Sequence, residues 1–426
     1  MRGEQDLIRT LRTAAGQVEP VDLARGVAAR RRSRRVRQRV RMTLAAAAVV
    51  AVAGGTTAAL TGEARRAEPA ATVSPSGPSG PSGPSPSRPR PVDEVWPRAI
   101  AKVPARTAAG VRIVPVAALS PTEVLLFVPA PAKGKESRLD VYDLTRRATK
   151  GALAHIPPIK GADGPAGIAV GPRHVAWHGG TDQSTTFWVA PRTGGSATRV
   201  AEFSGRVTDF DLAGDSLVWS SDKGVHRVPL SGGTPEPLPG SAGFRLTSWP
   251  WAEHVGRAAF ANTDRVVNLE TGRTYDVQVP EGTQYLRCGP RWCAGDLNGR
   301  LLVQHVDGTG RRVLSGLRLY SVRQPYVGRY VLAGLAGPAD RTDPEPGDPL
   351  ALLYDLDTGA AVGLGEHTPG TLGTPLTSTL LSDIPSMSVL YWDQDAQPPE
   401  KCSSRKCPTM VLGKKEWTVL NLLALT

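Results

Sequence analysis

The sequence predicts an all-β fold, a seven-bladed β-propeller, preceded by a short helical arm and one transmembrane helix. Three observations lead to this prediction. A short β pattern recurs along residues 97–426, Gly and Pro together make up about a fifth of the chain, and one uncharged stretch follows a block of arginines. Gly and Pro at this frequency argue against a helical bundle, because both residues destabilise helix interiors.

The recurring pattern is a short apolar run that ends in an aromatic or bulky apolar residue. Successive run ends lie 50, 42, 41, 32, 40 and 60 residues apart, close to the ~40–50 residues of a propeller blade. Further apolar runs and Gly-containing turns complete four strands per repeat. Seven ends predict seven blades, with six to eight possible, and the large side chains are expected to pack between neighbouring sheets. These repeat-end residues are Phe127, Trp177, Trp219, Phe260, Trp292, Leu332 and Trp392.

The two ends of the repeat region predict how the ring closes. The seventh repeat ends with TVLNLLAL at the C-terminus, which leaves no residues for an outer strand. The segment Arg98–Ala105 precedes the first repeat and offers one spare strand. Pairing this N-terminal strand with the last C-terminal strand would close the ring and remove open sheet edges. A β-sandwich, or two small β-domains, is the alternative architecture.

Charge is concentrated at the N-terminus. Of the net charge of +12, residues 1–41 contribute +8, from twelve Arg and four acidic residues, whereas residues 99–426 contribute only +3. The main domain is therefore not basic, and no nucleic-acid partner is expected for it. Residues 1–41 predict a cytoplasmic helical arm, whose block Arg30–Arg41 fits a topology signal in contact with anionic lipid. A docking site for a cytoplasmic protein or nucleic acid is the alternative for this block.

The middle of the N-terminal region predicts a membrane span and a linker. Residues 42–61 are expected to cross the membrane, because Met42–Leu60 contains no charge. The positive-inside rule then places the N-terminus in the cytoplasm and the C-terminal domain outside the cell membrane. A cleaved signal peptide and a buried soluble helix are the alternatives. The Pro/Ser/Gly-rich residues 62–96 predict an unfolded linker, and residues 97–426 predict the propeller, expected to be a monomer.

Short motifs in the repeats resemble those of a known group of proteins. Residues 230–233 read LSGG, residues 269–272 read LETG, and residues 288–293 read CGPRWC. With its arginine-rich start, span and linker, the chain resembles the membrane-anchored TolB-like or WD40-like β-propeller proteins of high-GC Gram-positive bacteria (actinobacteria). True WD40 signatures, with Gly-His early and Trp-Asp late in each repeat, do not recur along the chain. The resemblance therefore implies a fold and an extracytoplasmic location, and no activity.

Four cysteines form two pairs with the same C-x4-C spacing. Cys288 is paired with Cys293, and Cys402 with Cys407. Local disulfides are expected, because both pairs lie on the predicted oxidising side of the membrane and each spans a predicted hairpin. A zinc site is the alternative.

The sequence assigns no residue to catalysis, to a cofactor or to a metal. His174 and His178 lie four residues apart on a predicted strand, about 13 Å from each other, too far to share one ion. The acidic turns at Asp307 and at Asp355–Asp357 lack the spaced ligands of a calcium loop. Hairpin turn chemistry explains both.

The predicted inner strands offer few titratable groups, mainly Asp209, Asp211 and a few Arg. Such charges suit recognition of a polar partner better than bond-breaking, which needs positioned acids and bases. The expected function is a non-enzymatic binding or scaffold module on a single-pass membrane protein, with a protein, peptide or cell-wall ligand at a propeller face. A transmembrane sensor that acts on a cytoplasmic regulator, as anti-sigma proteins do, is one alternative. An extracytoplasmic hydrolase or lyase is the other.

Overall fold

The regular structure of the protein is almost entirely β. The computed structural model describes residues 89–132, 134–162, 164–256, 260–336, 347–367, 388–393 and 416–425. The predicted arm, the apolar residues 42–61 and most of the predicted linker lie outside these residues. Within the described part of the chain, no helix is long and apolar enough to cross a membrane. Its helical structure is limited to α1 (Val92–Val95) and a 3-10 turn (Leu422–Ala424).

The strands form seven antiparallel sheets, which are the blades of a β-propeller. Blade one contains β2 (Val114–Ser120), β3 (Glu123–Val128), β4 (Ser137–Asp143) and β5 (Ala148–Ile156). Blade two contains β6 (Gly167–Val170), β7 (His174–Gly180), β8 (Thr185–Pro191) and β9 (Thr198–Phe203). Blade three contains β10 (Phe210–Ala213), β11 (Ser216–Ser221), β12 (Gly224–Pro229) and β13 (Glu236–Pro237).

The same four-strand order continues through the next three blades. Blade four contains β14 (Phe244–Ser248), β15 (Trp251–Val255), β16 (Thr263–Asn268) and β17 (Thr274–Asp276). Blade five contains β18 (Thr283–Cys288), β19 (Trp292–Leu297), β20 (Arg300–His305) and β21 (Arg312–Leu314). Blade six contains β22 (Leu317–Leu319), β23 (Tyr330–Leu335), β24 (Ala351–Asp355) and β25 (Ala361–Leu364). The first strand of each blade lies nearest the ring axis, as the contacts of β6 with both β2 and β10 indicate.

Blade seven is built from both ends of the domain, which confirms the predicted closure. β1 (Ile100–Pro104) pairs antiparallel with β27 (Glu416–Asn421), which in turn pairs with β26 (Val389–Trp392). Trp417 of β27 is almost fully buried, and its Nε1 donates a hydrogen bond of 2.7 Å to the Ile113 carbonyl. The N-terminal strand therefore completes the sheet that packs against blade one.

The folded domain begins earlier than the boundary predicted at residue 97. The Gly363 amide donates a 2.8 Å hydrogen bond to the Arg90 carbonyl, and Pro91 forms a parallel bridge with Gly363. Val92 is buried, and Trp96 packs against the core. The apolar side chains at the end of this Pro-rich stretch thus bury themselves against blade six, and the end of the predicted linker belongs to the propeller.

Six of the seven repeat-end residues are buried as predicted. The side chains of Trp177 and Trp219 are fully buried. Trp219 packs against Phe187 of blade two with ring centroids 4.4 Å apart, so it fills the space between two blades. The other four are Phe127, Trp292, Leu332 and Trp392.

The prediction for Phe260 is wrong. This residue lies between β15 and β16, and 54% of its surface is exposed. The second strand of blade four is β15, which lies earlier in the chain, because the turn at Trp249–Pro250 reverses the chain directly after β14. Proline favours such turns because its backbone φ is already fixed. The buried side chains of this strand are instead those of Ala252 and Glu253, one of which is a carboxylate.

Candidate functional site on the inner strands

Both aspartates singled out in the sequence lie at the blade three–blade four junction. Asp209 is buried, and it accepts two hydrogen bonds of 3.2 Å from the guanidinium of Arg245 on β14. Asp211 of β10 accepts a 3.0 Å hydrogen bond from the Trp249 amide. Burial raises the pKa of the Asp211 carboxyl. Both carboxylates therefore bind groups of the next blade and hold the ring together.

Glu253 forms a second inter-blade junction, which the sequence analysis missed. Its carboxylate accepts hydrogen bonds from the Thr263 hydroxyl within blade four, from the Cys288 amide of blade five at 3.2 Å, and from Gln324 Nε2 of blade six at 2.9 Å. Burial raises the pKa of Glu253. The available signal in the sequence was a single Glu between Ala252 and His254 in a short strand. This signal could not identify a junction, because two of the hydrogen-bond partners of Glu253 lie on other blades.

Arginines occupy the inner strands of three consecutive blades. They are Arg245 on β14, Arg287 on β18 and Arg318 on β22. Arg287 is half-buried and donates a 2.8 Å hydrogen bond to the Ala261 carbonyl of blade four. Arg318 is exposed and donates a 3.3 Å hydrogen bond to the Leu335 carbonyl. The inner strands of blades one to three carry no Lys or Arg.

Two aromatic residues with unusual backbone angles lie beside one of these arginines, Arg287. Phe260 has φ of 67° and Tyr285 of β18 has φ of 56°, a region that residues other than glycine rarely occupy. The Tyr285 amide donates a 3.2 Å hydrogen bond to the Phe260 carbonyl. Their rings form an edge-to-face pair with centroids 5.2 Å apart. An exposed aromatic side chain is therefore held in place by its neighbouring blade.

A disulfide joins the first two strands of blade five. Cys288 and Cys293 are directly opposed in the β18–β19 pairing, and their sulfur atoms are bonded. Cys402 and Cys407 lie outside the described residues. No group of His, Cys, Asp and Glu side chains arranged to hold a metal ion is found in the described part of the chain.

We predict that peptide mapping under non-reducing conditions recovers two separate disulfide-linked peptides, one for Cys288–Cys293 and one for Cys402–Cys407. The reason is that each pair is separated by only four residues and lies on the predicted oxidising side. Free thiols in protein isolated from cell membranes, or bound zinc that a chelator removes, would contradict this assignment.

His174 and His178 occupy the same strand but differ in environment. His174 begins β7, whereas His178 is buried between Phe187 and Phe210, with ring centroids 5.9 and 5.0 Å away. Gly167 leaves room for the imidazole, because a Cβ at this position would lie 2.5 Å from His178 Nε2. His178 is therefore a packing residue, and burial lowers its pKa to about 3.

The buried His178 should make the propeller sensitive to acid. Between its ordinary pKa of 6.5 and its folded pKa of about 3, the unfolded chain binds a proton at this site that the folded chain does not. As the pH is lowered through this range, the free energy of unfolding should therefore decrease by up to about 1.4 kcal/mol for each pH unit from this group alone. We expect His178→Leu to remove most of this slope between pH 6.5 and pH 4 in urea titrations. His155→Leu, at an exposed position, is the control, and equal slopes for the two variants would contradict the prediction.

A serine–histidine contact in blade three has a structural explanation. The Ser221 Oγ lies 2.9 Å from His226 Nε2, but it also accepts a 3.0 Å hydrogen bond from the Lys223 amide in the β11–β12 turn. His226 is buried and stacks on Trp219, and burial lowers its pKa. No carboxylate hydrogen-bonded to the His226 ring is found among the described residues. The pair therefore holds a hairpin turn and lacks the third group of a catalytic triad.

The acidic turns also have structural partners. Asp355 is buried and binds the Arg329 guanidinium through both carboxylate oxygens, at 2.8 and 2.7 Å. Asp307 accepts hydrogen bonds from the amide and the hydroxyl of Thr309, at 3.0 and 2.7 Å. Both carboxylates stabilise turns, in agreement with the interpretation of these turns as hairpin loops.

Comparison with known proteins gives no family for this chain. No protein-family model matches it, and no curated protein sequence matches it. Among solved structures, a puromycin hydrolase S511A mutant complexed with PGG is similar with a TM-score of 0.36 and 16% identity, over 57% of this chain and 46% of that one. The chain thus spans less than half the length of that enzyme.

Two further solved structures are similar at the same level. A nidogen/laminin complex matches with a TM-score of 0.33 and 14% identity, over 56% of this chain and 91% of that one. The uncharacterized protein lmo1340 from Listeria monocytogenes EGD-e matches with a TM-score of 0.34 and 10% identity, over 59% of this chain and 94% of that one. Likeness at this level assigns no activity to the chain.

Proposed function

We propose that the protein is a non-enzymatic binding module: a β-propeller displayed outside the cell on a single transmembrane helix. The observation that supports this most is the use of three carboxylates at the junctions between blades. Asp209, Asp211 and Glu253 each bind groups of a neighbouring blade. A general acid or base must instead reach a substrate with its proton-binding atoms. These carboxylates thus hold neighbouring blades together, whereas Phe260 and Arg318 are exposed to solvent.

The proposed location rests on the sequence. The eight arginines within Arg30–Arg41 precede an uncharged stretch, and a Pro/Ser/Gly-rich segment follows it. This order is typical of a membrane protein with its N-terminus in the cytoplasm. A Pro-rich spacer of this kind would hold the propeller away from the bilayer.

Protease accessibility tests the location. In spheroplasts that express the full chain with an epitope tag at each end, external protease should remove the C-terminal tag and leave the N-terminal tag intact. Detergent should make both tags sensitive, which controls for intrinsic resistance. Protection of the C-terminal tag, or a released protein that lacks residues 1–60, would contradict the anchored arrangement.

Activity measurements test the non-enzymatic part of the proposal. The purified full-length protein should show no turnover above background on panels of hydrolase and lyase substrates. If a turnover were found, and Asp211→Asn abolished it without lowering the melting temperature, the proposal would be wrong. The Asp215→Asn variant, at an exposed carboxylate of the same blade, is the matched control.

A further inference from the structure

The charges on the inner strands divide the ring into two halves. Blades four, five and six each place one arginine on the inner strand: Arg245, Arg287 and Arg318. The inner strands of blades one, two and three carry no Lys or Arg, and β10 carries Asp211. Like charges in one concave region raise the local potential and attract groups of the opposite sign. One half of the axial region therefore favours anionic ligands.

The three arginines differ in how firmly they are held. Arg245 is paired with Asp209, and about half of its side chain is exposed. Arg287 is fixed by two backbone carbonyls, those of Ala261 and Leu286 at 2.8 and 3.0 Å. A guanidinium has five N–H donors, and the hydrogen bonds described for Arg287 and Arg318 use only part of them, so these two side chains can also bind a carboxylate.

An apolar contact lies next to this charge. Phe260 is the most exposed of the large hydrophobic side chains in the described residues, and Arg287 binds the carbonyl of its neighbour Ala261. Phe260 and Tyr285 both hold positive φ angles, which cost on the order of 1–3 kcal/mol each and are concentrated at functional sites. The ring packs edge-to-face on Tyr285, yet 54% of the Phe260 surface stays exposed, so it is available for contact with a partner.

We propose that the arginine–aromatic face, formed by Arg245, Phe260, Tyr285, Arg287 and Arg318, binds an acidic peptide segment of a partner protein that carries an apolar side chain. The inference rests on the proposed binding function and names the chemistry of the partner. Carboxylates of the segment pair with the guanidinium groups, and its apolar side chain packs on Phe260.

The distribution of negative charge favours a peptide over a uniform polyanion. Asp209 pairs with Arg245, and Asp211 lies two residues further along the chain, on the inner strand β10 of blade three. A nucleic acid or polyphosphate has a negative charge at every unit, so a strand of it that crossed the axis would meet these carboxylates. A peptide can place its acidic residues opposite the arginines and neutral residues elsewhere.

Selection from a library of random 12-residue peptides, displayed on phage and bound to the full-length protein in detergent, tests the proposal. Enriched peptides should contain clustered Asp or Glu beside an aromatic residue or leucine. Synthetic copies should bind Arg318→Gln, Phe260→Ser and Arg287→Gln variants about tenfold or more weakly. Arg199→Gln and Arg206→Gln, at exposed ion pairs of blade two, are the controls and should bind normally.

Each other outcome overturns the proposal. These outcomes are enriched peptides without acidic residues, equal binding to all variants, and full competition by polyphosphate at matched charge. Arg318 and Phe260 are exposed, so their variants separate loss of binding from loss of folding, which melting curves check. Peptides that bind elsewhere on the ring would contradict the assignment of the binding site to this face, but they would remain consistent with the proposed binding function. Absence of any binding together with a measured turnover would overturn both.

Discussion

Deletion of residues 98–105 is expected to lower the free energy of unfolding of the propeller by about 5 kcal/mol or more, a large part of the ~5–15 kcal/mol that is typical of a folded protein. The deletion removes β1, which pairs along its whole length with β27 in blade seven. It also removes the fully buried Val103 and the buried Ala99 and Ala105.

The expected size follows from the contacts that are lost. Burial of one valine contributes roughly 1.5–3 kcal/mol, and each backbone hydrogen bond about 1 kcal/mol. The outer edge of β27 would then be left unpaired, which favours aggregation through that edge. We expect a lower urea midpoint of unfolding and increased light scattering on heating, the latter caused by aggregation.

The control is a deletion within the predicted linker, which also shortens the chain before the propeller but leaves β1 in place. Removal of residues 70–85 should leave the unfolding midpoint of the propeller unchanged, because it keeps Arg90 and Pro91, whose backbone pairs with Gly363 of blade six. If the two deletions had equal effects on the midpoint, closure of the ring by β1 would be refuted.

Glu253→Ala is expected to destabilise the propeller by about 3 kcal/mol, the second largest effect. The substitution removes the Glu253 acceptor of the Cys288 amide in a buried site, and it leaves the Thr263 hydroxyl with the Leu286 carbonyl as its remaining acceptor. A buried donor without a partner costs about 1–3 kcal/mol, and Gln324 of blade six loses its contact as well. Chemical denaturation measures the loss.

Glu253→Gln is the matched control and should cost only about 1 kcal/mol, because the amide oxygen still accepts hydrogen bonds. Burial raises the pKa of Glu253 above its ordinary value of 4.5, so the folded chain keeps this proton up to a higher pH than the unfolded chain does. Wild-type stability should therefore decline as the pH rises from 4.5 through the folded pKa, and Glu253→Gln should remove that decline. Equal losses for the Ala and Gln variants would contradict the role assigned to the carboxylate oxygens.

The sequence was informative where the signal repeats in every blade. Trp177 and Trp219 each end a short apolar run, and both are fully buried between sheets. The last repeat lacks residues for an outer strand after TVLNLLAL, and one extra strand precedes blade one. Ring closure by pairing the two ends could therefore be predicted. Regular spacing and strand pairing are local properties, so they can be read without knowledge of the distant contacts.

The sequence failed where a contact joins distant residues. The pattern placed Phe260 in the core, because it could not locate the turn at Trp249–Pro250 that starts β15 early. Glu253 is 71 residues from Gln324 and 35 from Cys288, and only the closed ring brings the three together. The interaction of Asp209 with Arg245 likewise requires two adjacent blades.

Photo-crosslinking in intact cells tests the central claim, that the propeller binds a partner outside the cell through its arginine–aromatic face. In one variant, Phe260 is replaced by p-benzoylphenylalanine. In the control variant, the same replacement is made at Val313, an exposed residue on the outer strand β21. The account predicts a discrete adduct from position 260, destroyed by protease added outside the cells, and none from position 313. Adducts from neither position, or equally from both, would contradict it.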